Sequence, residues 1–202
     1  MGLREDFKNT RQRRSLLAAA SVAAIAVLMQ VGGTEARDAL AWDRSSLAAG
    51  EVWRLVTGHF AHLGWSHLWL NLAGLALVTW ITGGAYGVMR WAVVAMATVV
   101  VIDIGFWYFY PELDWYVGLS GLLHGLLVAG LLPGVRERDR EALILAFLLV
   151  GKLAWEQIVG PLPGSESSAG GAVIVDAHLY GALGGLLGAL VPWRSVRPEA
   201  SI

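Results

Sequence analysis

The sequence has no cysteine and few charged residues, and each scarcity excludes a class of protein. Without cysteine there can be no disulfide, no thiolate nucleophile and no Cys-ligated zinc or iron–sulfur site. Only 15% of the residues are charged, the formal net charge is −1 and the basic residues are scattered, which argues against a nucleic-acid binder. No Pro/Ser-rich or charged run divides the chain, so a single domain is predicted. Any nucleophile must carry oxygen or nitrogen.

Apolar residues, by contrast, are abundant, at 56% of the 202 residues. That fraction is high for a soluble domain, and several runs approach the ~20 residues that cross a bilayer. The runs predict an all-α polytopic membrane protein with six transmembrane helices, over Leu16–Val31, Leu63–Ile81, Val88–Tyr110, Tyr116–Pro133, Ala142–Val159 and Val173–Val191. The predicted organisation is a cytoplasmic segment over 1–15, the bundle over 16–193 and a cytoplasmic tail over 194–202.

Basic residues orient the predicted bundle, because cytoplasmic loops concentrate Lys and Arg. With both termini inside, eleven basic residues lie on the cytoplasmic side and three outside, the three being Arg37, Arg44 and Arg54. Basic residues followed by an apolar run also describe a secretory signal peptide. We favour a retained first helix, because Gly32–Ala36 is a poor cleavage site.

Polar side chains from three predicted helices fall at one depth. His67 and Asn71 begin the second helix, Ser120 begins the fourth and His178 lies near the start of the sixth. At about 1.5 Å per residue, these residues are expected roughly 5–12 Å below the outer surface. Polar groups at that depth are costly unless they pair or face water. From Ser120 to Leu132 the fourth helix is too short to span, so residues 111–119 are predicted to be non-helical chain beside a cavity.

Two short motifs indicate a nucleophile and a base. In Gly118-Leu119-Ser120-Gly121, a serine occupies a tight turn at a helix start, where unpaired N–H groups can bind an oxyanion. His178 shares a helix face with Gly181 and Gly185, which permit close approach of a neighbouring helix. Taken singly, the first motif is also typical of glycine-rich helix packing, and the second of a buried histidine bonded to a carbonyl.

His67 and Asn71 are four residues apart on one helix face, so both can donate to one oxygen. We interpret them as an oxyanion hole completed by the Ser120 amide. A metal site is the alternative, since the chain has five histidines. No H-E-x-x-H pattern is present, and no carboxylate stands at the ligand spacings, so neither a metal nor another cofactor is expected.

These residues together resemble the rhomboid intramembrane proteases. The resemblance runs from Gly50–Arg54 and Gly58–His62 through the motifs above and covers all six predicted helices. The stretch Tyr116–Gly125 looks more narrowly like the bacterial rhombosortase branch, thought to process a C-terminal Gly-Gly tail followed by a membrane helix and basic residues. The resemblance implies a six-helix rhomboid bundle in the bacterial cytoplasmic (inner) membrane.

The resemblance makes Ser120 the nucleophile and His178 the general base of a dyad that needs no carboxylate. It assigns the oxyanion to His67, Asn71 and the Ser120 amide, and a structural role to Trp53 and Arg54. Where most rhomboids carry a tyrosine four residues after the serine, this chain has His124, which could stack on His178, donate a hydrogen bond, tune its pKa or simply pack.

Three further ionisable residues lie in or near predicted spans. Lys152 and Glu156 are four residues apart and are expected to pair, with a role in substrate entry as the alternative. The sequence indicates no role for Asp103. Asp176 faces roughly away from His178 on its helix and is not expected to form a triad.

The sequence therefore predicts an intramembrane serine endopeptidase. Its expected partners are the bilayer and membrane-anchored proteins with a C-terminal transmembrane tail, cut near the outer face. Two other functions stay open, a non-catalytic rhomboid-like binder of membrane segments and a histidine-lined metal or haem carrier.

Overall fold

The architecture is that of a computed structural model that describes residues 3–192, with side chains from residue 9 onward. Over that range the elements in chain order are α1 Leu3–Val31, α2 Gly33–Leu40, β1 Trp42–Asp43, α3 Arg44–Ala48, α4 Arg54–Thr57, α5 Trp65–Thr82, α6 Val88–Phe109, β2 Trp115–Tyr116, α7 Ser120–Arg136, α8 Arg140–Ile158, α9 Ser165–Ala169 and α10 Val175–Leu190. The six longest helices overlap the six predicted runs, although α1 begins at Leu3, within the predicted cytoplasmic segment, and α7 begins at Ser120. The predicted tail over 194–202 lies outside the described residues, as do the side chains of Arg4 and Lys8.

Two helical stretches of the described chain are long and apolar enough to be candidate membrane spans, Asn9–Val31 and Val88–Phe109. The helix Ser120–Arg136 is apolar but shorter. A six-span arrangement therefore stays a prediction. The predicted helical character is confirmed for the described residues, in which the two-residue strands β1 and β2 are the exceptions.

The predicted end of the fourth helix at Leu132 is wrong, because α7 continues through Pro133 to Arg136. Proline has no N–H, so the carbonyl of Ala129, four residues earlier, loses its usual helical partner. The hydroxyl of Tyr86 donates a hydrogen bond to that carbonyl at 3.1 Å. The hydrogen bond from Tyr86 replaces the missing helical one, so α7 continues for one turn beyond the end that the sequence predicted.

Helices α7 and α10 pack in parallel through glycine. A Cβ added to Gly181 would collide with the Gly121 carbonyl, and one added to Gly185 would collide with the Gly125 carbonyl. The two backbones therefore touch directly, as the small-residue spacing on α10 predicts. Helix α6 packs against both α7 and α10, with Gly125 of α7 against Thr98. It runs antiparallel to α10, with Gly188 against Val94 and Gly184 against Thr98.

The starts of α5, α7 and α10 lie at one end of the bundle. His67 of α5 lies beside Gly118 just before α7, and Gly74, farther along α5, meets Leu123, farther along α7, so these two helices also run in parallel. Arg90, near the start of the antiparallel α6, donates to the Ala189 carbonyl near the end of α10. The end with the starts of α5, α7 and α10 carries the predicted site residues.

The segment before α7 is non-helical, as predicted, and it is anchored by contacts that the sequence did not reveal. Its strand β2 pairs antiparallel with β1, with Trp42 opposite Tyr116. The strand β1 is positioned in turn by the buried Arg54, which donates hydrogen bonds to the Asp38 and Ala41 carbonyls and forms an ion pair with Glu51. Arg54 thus has the structural role expected of it.

Candidate active site

Ser120 and His178 are in hydrogen-bonding contact at the starts of α7 and α10. The distance from Ser120 Oγ to His178 Nε2 is 3.0 Å. His178 is buried, and Ser120 keeps partial exposure. A nucleophilic hydroxyl and an imidazole at this separation can exchange a proton, which is the geometry required of a nucleophile and its base.

A constrained turn precedes the serine. Gly118 has φ +140°, a backbone conformation that side-chain-bearing residues rarely adopt. Its N–H donates to the Gly58 carbonyl at 3.1 Å, and its own carbonyl accepts a hydrogen bond from the Tyr116 hydroxyl at 2.6 Å. Ser120 is then the first residue of α7, where the first backbone N–H groups have no partner within the helix.

Glycine at 121 allows the serine and the histidine to meet. A Cβ at Gly121 would lie 2.8 Å from the carbonyl oxygen of Ala177, the residue before His178. Any larger residue would push the start of α10 away from α7. The small residues 121, 181 and 185 therefore set the spacing on which the Ser120–His178 contact depends.

The other ring nitrogen of His178 contacts an ion pair on α8. Nδ1 lies 2.9 Å from Glu156 Oε2 and 3.1 Å from Lys152 Nζ, and these two side chains are 2.8 Å apart. The Lys152–Glu156 pair is as predicted from the spacing, but its contact with His178 was missed. The available signal was a Lys-x-x-x-Glu pair in an otherwise apolar helix, since polar groups in such helices usually face a functional interior.

His124 stacks on His178, one of the alternatives that the sequence left open. The ring centroids are 4.2 Å apart and the planes differ by 19°. His124 Nδ1 lies 2.7 Å from the Ser120 carbonyl oxygen, and Nε2 lies 2.6 Å from Lys152 Nζ. A carbonyl can only accept, so Nδ1 carries the proton and Nε2 accepts from the lysine.

The two residues expected to bind the oxyanion lie beside the turn that precedes Ser120. His67 Nδ1 accepts a hydrogen bond from the Leu63 N–H at 3.3 Å, which leaves the proton on Nε2 as a donor. That edge of the ring faces Gly118, since a Cβ added there would lie 3.3 Å from Nε2. Asn71 is buried on the same helix and uses one of its two N–H donors on the His67 carbonyl.

His62 supports the His67 ring from the loop before α5. The two rings pack edge to face with centroids 5.1 Å apart. Burial lowers the pKa of His62 to about 4, so its ring is uncharged at neutral pH. The His67 ring therefore packs against an uncharged His62 ring.

Within residues 9–192, one group has the composition of a metal site, namely His124, Glu156 and His178, whose ligand atoms lie within 4.8 Å of one another. The Lys152 ammonium lies 2.6 Å from His124 Nε2, 2.8 Å from Glu156 Oε2 and 3.1 Å from His178 Nδ1. A cationic side chain already occupies the position between the ligand atoms, and it disfavours a second cation there. His59 is placed apart from this group, with Nε2 3.2 Å from Asp103 Oδ1.

Two comparisons with known proteins agree on the family of this chain. The family model described as "Rhomboid domain" matches residues 49–195. The curated protein named rhomboid-like protease 5 from Toxoplasma gondii is 32% identical over 152 residues, which are 73% of this chain. The chain spans 17% of the length of that relative.

Proposed function

Because the chain belongs to the rhomboid family, we propose that it is an intramembrane serine endopeptidase with Ser120 as nucleophile and His178 as general base. The observation that carries the proposal is the 3.0 Å contact between Ser120 Oγ and His178 Nε2 at the start of two helices packed through glycine. The name of the Toxoplasma gondii relative, a rhomboid-like protease, supports the same activity.

In the proposed reaction, Ser120 Oγ attacks the scissile carbonyl while His178 Nε2 takes the serine proton. His178 then gives that proton to the leaving amine, and a water molecule activated by the same imidazole hydrolyses the acyl-enzyme. The negative oxygen of each tetrahedral intermediate is bound by donors from His67, Asn71 and the Ser120 amide. Gly118 and Gly121 shape the turn, and the stacked ring of His124 limits rotation of His178.

The chain is a membrane protein, and we propose six spans with both termini in the cytoplasm and the site near the outer face of a bacterial inner membrane. The longest helices expose large apolar side chains that a soluble protein would bury, including Trp80 on α5, Phe109 on α6, and Phe147 and Ile158 on α8, each more than 70% exposed. The common position of the starts of α5, α7 and α10 supports a single catalytic layer.

A non-catalytic rhomboid-like binder is the alternative. Such proteins usually lack the serine or the histidine, and this chain retains both in contact. A metal or haem carrier is the other alternative, and it would need the position that the Lys152 ammonium takes in the histidine cluster. Both alternatives predict a protein without peptidase activity, so a cleavage assay separates them from the proposal.

Removing both proposed oxyanion donors should slow cleavage more than removing either one. Loss of one such donor costs roughly 10²–10³ in rate, but the remaining donors compensate in part. We expect His67→Ala and Asn71→Ala each to lower kcat, and the double variant to lower it further. Leu70→Ala is the control, since Leu70 lies on the same helix and is half exposed. Full activity of the folded double variant would refute the assignment.

The proposed substrates are membrane-anchored proteins with a Gly-Gly pair just before a C-terminal membrane helix. A helical peptide bond is shielded by its own turn, so a substrate must unwind to present an extended carbonyl to Ser120. Glycine weakens a helix and fits a narrow cleft. The rhombosortase-like stretch Tyr116–Gly125 supports the same choice.

This substrate class is tested by co-expressing the protein with reporters that carry such a tail. The Gly-Gly reporter should be cut, and replacement of both glycines by leucine should block cutting. Membrane fractionation of both reporters controls for insertion. Equal cleavage of the Gly-Gly and Leu-Leu reporters would overturn the narrow specificity, and cleavage of neither by the folded protein would count against the peptidase itself.

A further inference from the structure

We propose that Glu156 completes a triad with Ser120 and His178, holding the imidazole in the tautomer whose Nε2 can take the serine proton. Lys152 pairs with the carboxylate and is itself bound by His124. The inference rests on the proposed peptidase function and departs from the carboxylate-free dyad expected from the resemblance. In this account Glu156 is a positioning residue, because it acts through His178 and does not touch the substrate.

Two side chains compete for His178 Nδ1. A neutral imidazole carries one proton, so Nδ1 can donate one hydrogen bond or accept one. Glu156 Oε2, at 2.9 Å, can only accept, and Lys152 Nζ, at 3.1 Å, can only donate when charged. If the carboxylate prevails, the proton is on Nδ1 and Nε2 is free to accept from Ser120. If the ammonium prevails, Nε2 carries the proton and cannot act as a base.

The other contacts of Lys152 decide the competition. Its N–H groups already have two acceptors at shorter range, His124 Nε2 at 2.6 Å and Glu156 Oε2 at 2.8 Å. His124 accepts there because its own proton is committed to the Ser120 carbonyl at 2.7 Å. Only the third N–H of the ammonium can face Nδ1, over the longest of the three lysine contacts, whereas the carboxylate at 2.9 Å gains a charge-assisted hydrogen bond from an Nδ1–H.

Burial and charge are consistent with this arrangement. The side chains of Glu156 and His178 are 3% and 6% exposed, so a carboxylate at this position requires partners. Lys152, at 24% exposed, supplies the neutralising charge from the same helix. The pair thus brings a carboxylate to Nδ1 with no net charge added to the interior.

The first experiment tests whether Glu156 positions His178 or only forms an ion pair with Lys152. Glu156→Leu should lower kcat for a membrane-anchored Gly-Gly reporter by roughly 10⁴-fold, the loss found when the carboxylate of other serine-histidine triads is replaced, with little change in KM. The double variant Glu156→Leu/Lys152→Met removes the unpaired ammonium as well and should remain as slow. Glu141→Leu, at an exposed position on the same helix, is the matched control and should leave the rate unchanged.

Recovery of the double variant to within a few-fold of the wild-type kcat would overturn the inference, because Glu156 would then serve only to neutralise Lys152. An unchanged kcat in a folded Glu156→Leu variant would overturn it as well. A rise in KM with kcat unchanged would also contradict it, since that result would place Glu156 in substrate binding.

The second experiment does not depend on activity, and its main readout comes from the wild-type protein. Nitrogen-15 NMR of histidine-labelled wild-type protein in micelles reports which ring nitrogen of His178 carries the proton, with the resonance assigned by its loss in His178→Ala. We expect the neutral ring to be protonated at Nδ1, and Glu156→Leu to move the proton to Nε2. A wild-type ring protonated at Nε2 would contradict the inference. If the wild type cleaves no reporter yet shows the Nδ1–H tautomer, the peptidase proposal fails while the Glu156 contact stands.

Discussion

Replacement of Ser120 by alanine is expected to abolish cleavage of a membrane-anchored reporter, a loss of roughly 10⁴–10⁶-fold in kcat. In the proposed reaction the Ser120 hydroxyl oxygen forms the acyl-enzyme, and no cysteine is present that could replace it as a nucleophile. His178→Ala should cause a comparable loss, because without the imidazole the hydroxyl keeps its proton. Since the two residues act as one unit, the double variant should be hardly slower than either single variant.

The assay uses purified protein in liposomes with wild type and Ser168→Ala as references. Ser168 is an exposed serine on α9, so its replacement should leave the rate unchanged. Melting temperatures of all variants establish that loss of activity is not loss of fold. Appreciable turnover by folded Ser120→Ala, or strictly multiplicative losses in the double variant, would contradict the proposed roles.

Replacement of Gly181 by valine is expected to have the largest effect on the fold. The new side chain would meet the Gly121 backbone directly, and backbone cannot move aside as a flexible side chain can. Overpacking of this kind costs about 1–3 kcal/mol or more, and separation of α7 from α10 would also break the Ser120–His178 contact. We expect a lower melting temperature in detergent together with a severe loss of activity.

Gly151→Val is the matched control for this substitution. Gly151 lies on α8, and a Cβ at that position meets nothing within 4 Å. Its variant should therefore melt at or above the wild-type temperature with full activity. Equal melting temperatures and equal activities for Gly181→Val and wild type would show that the α7–α10 contact does not need glycine.

The long helices could be predicted because an apolar run is a local property of the sequence. The runs over Leu63–Ile81 and Val88–Tyr110 match α5 and α6 to within two residues. The connections could not be predicted in the same way. The strands β1 and β2 have two residues each and form through pairing of residues that are distant in the sequence, Trp42 with Tyr116 and Asp43 with Trp115, which no local pattern records.

One wrong prediction at α7 and one missed contact at α8 have the same origin. The helix α7 was expected to end before Pro133, but a hydroxyl from Tyr86 replaces the missing hydrogen bond. Glu156 was expected to pair with Lys152, with a role in substrate entry as the alternative, and the pair is confirmed. Its contact with His178 was missed, because a spacing of four residues already accounts for both charges within one helix. Each residue has a second partner on another element, and such contacts depend on packing that the sequence pattern alone does not reveal.

The candidate dyad could be predicted more readily than these contacts, because polar residues in apolar helices are recognisable from the sequence. Ser120, His178, His67 and Asn71 were singled out by their common depth, and the structure brings Ser120 and His178 into contact. Glycine spacing predicted the close approach of α7 and α10 for a physical reason, the absence of a side chain between backbones. The sequence left several roles open for His124, and only the three-dimensional structure shows that its ring stacks on His178.

The central claim is that Ser120 is an activated nucleophile, and covalent labelling tests it most directly. Wild-type protein is treated in micelles with a fluorophosphonate, and the modified residue is located by mass spectrometry of its peptides. We predict a single adduct on Ser120 that is absent from folded Ser120→Ala and strongly reduced in folded His178→Ala. Cleavage of the reporter by a wild-type protein whose adduct lies on another residue would contradict the account.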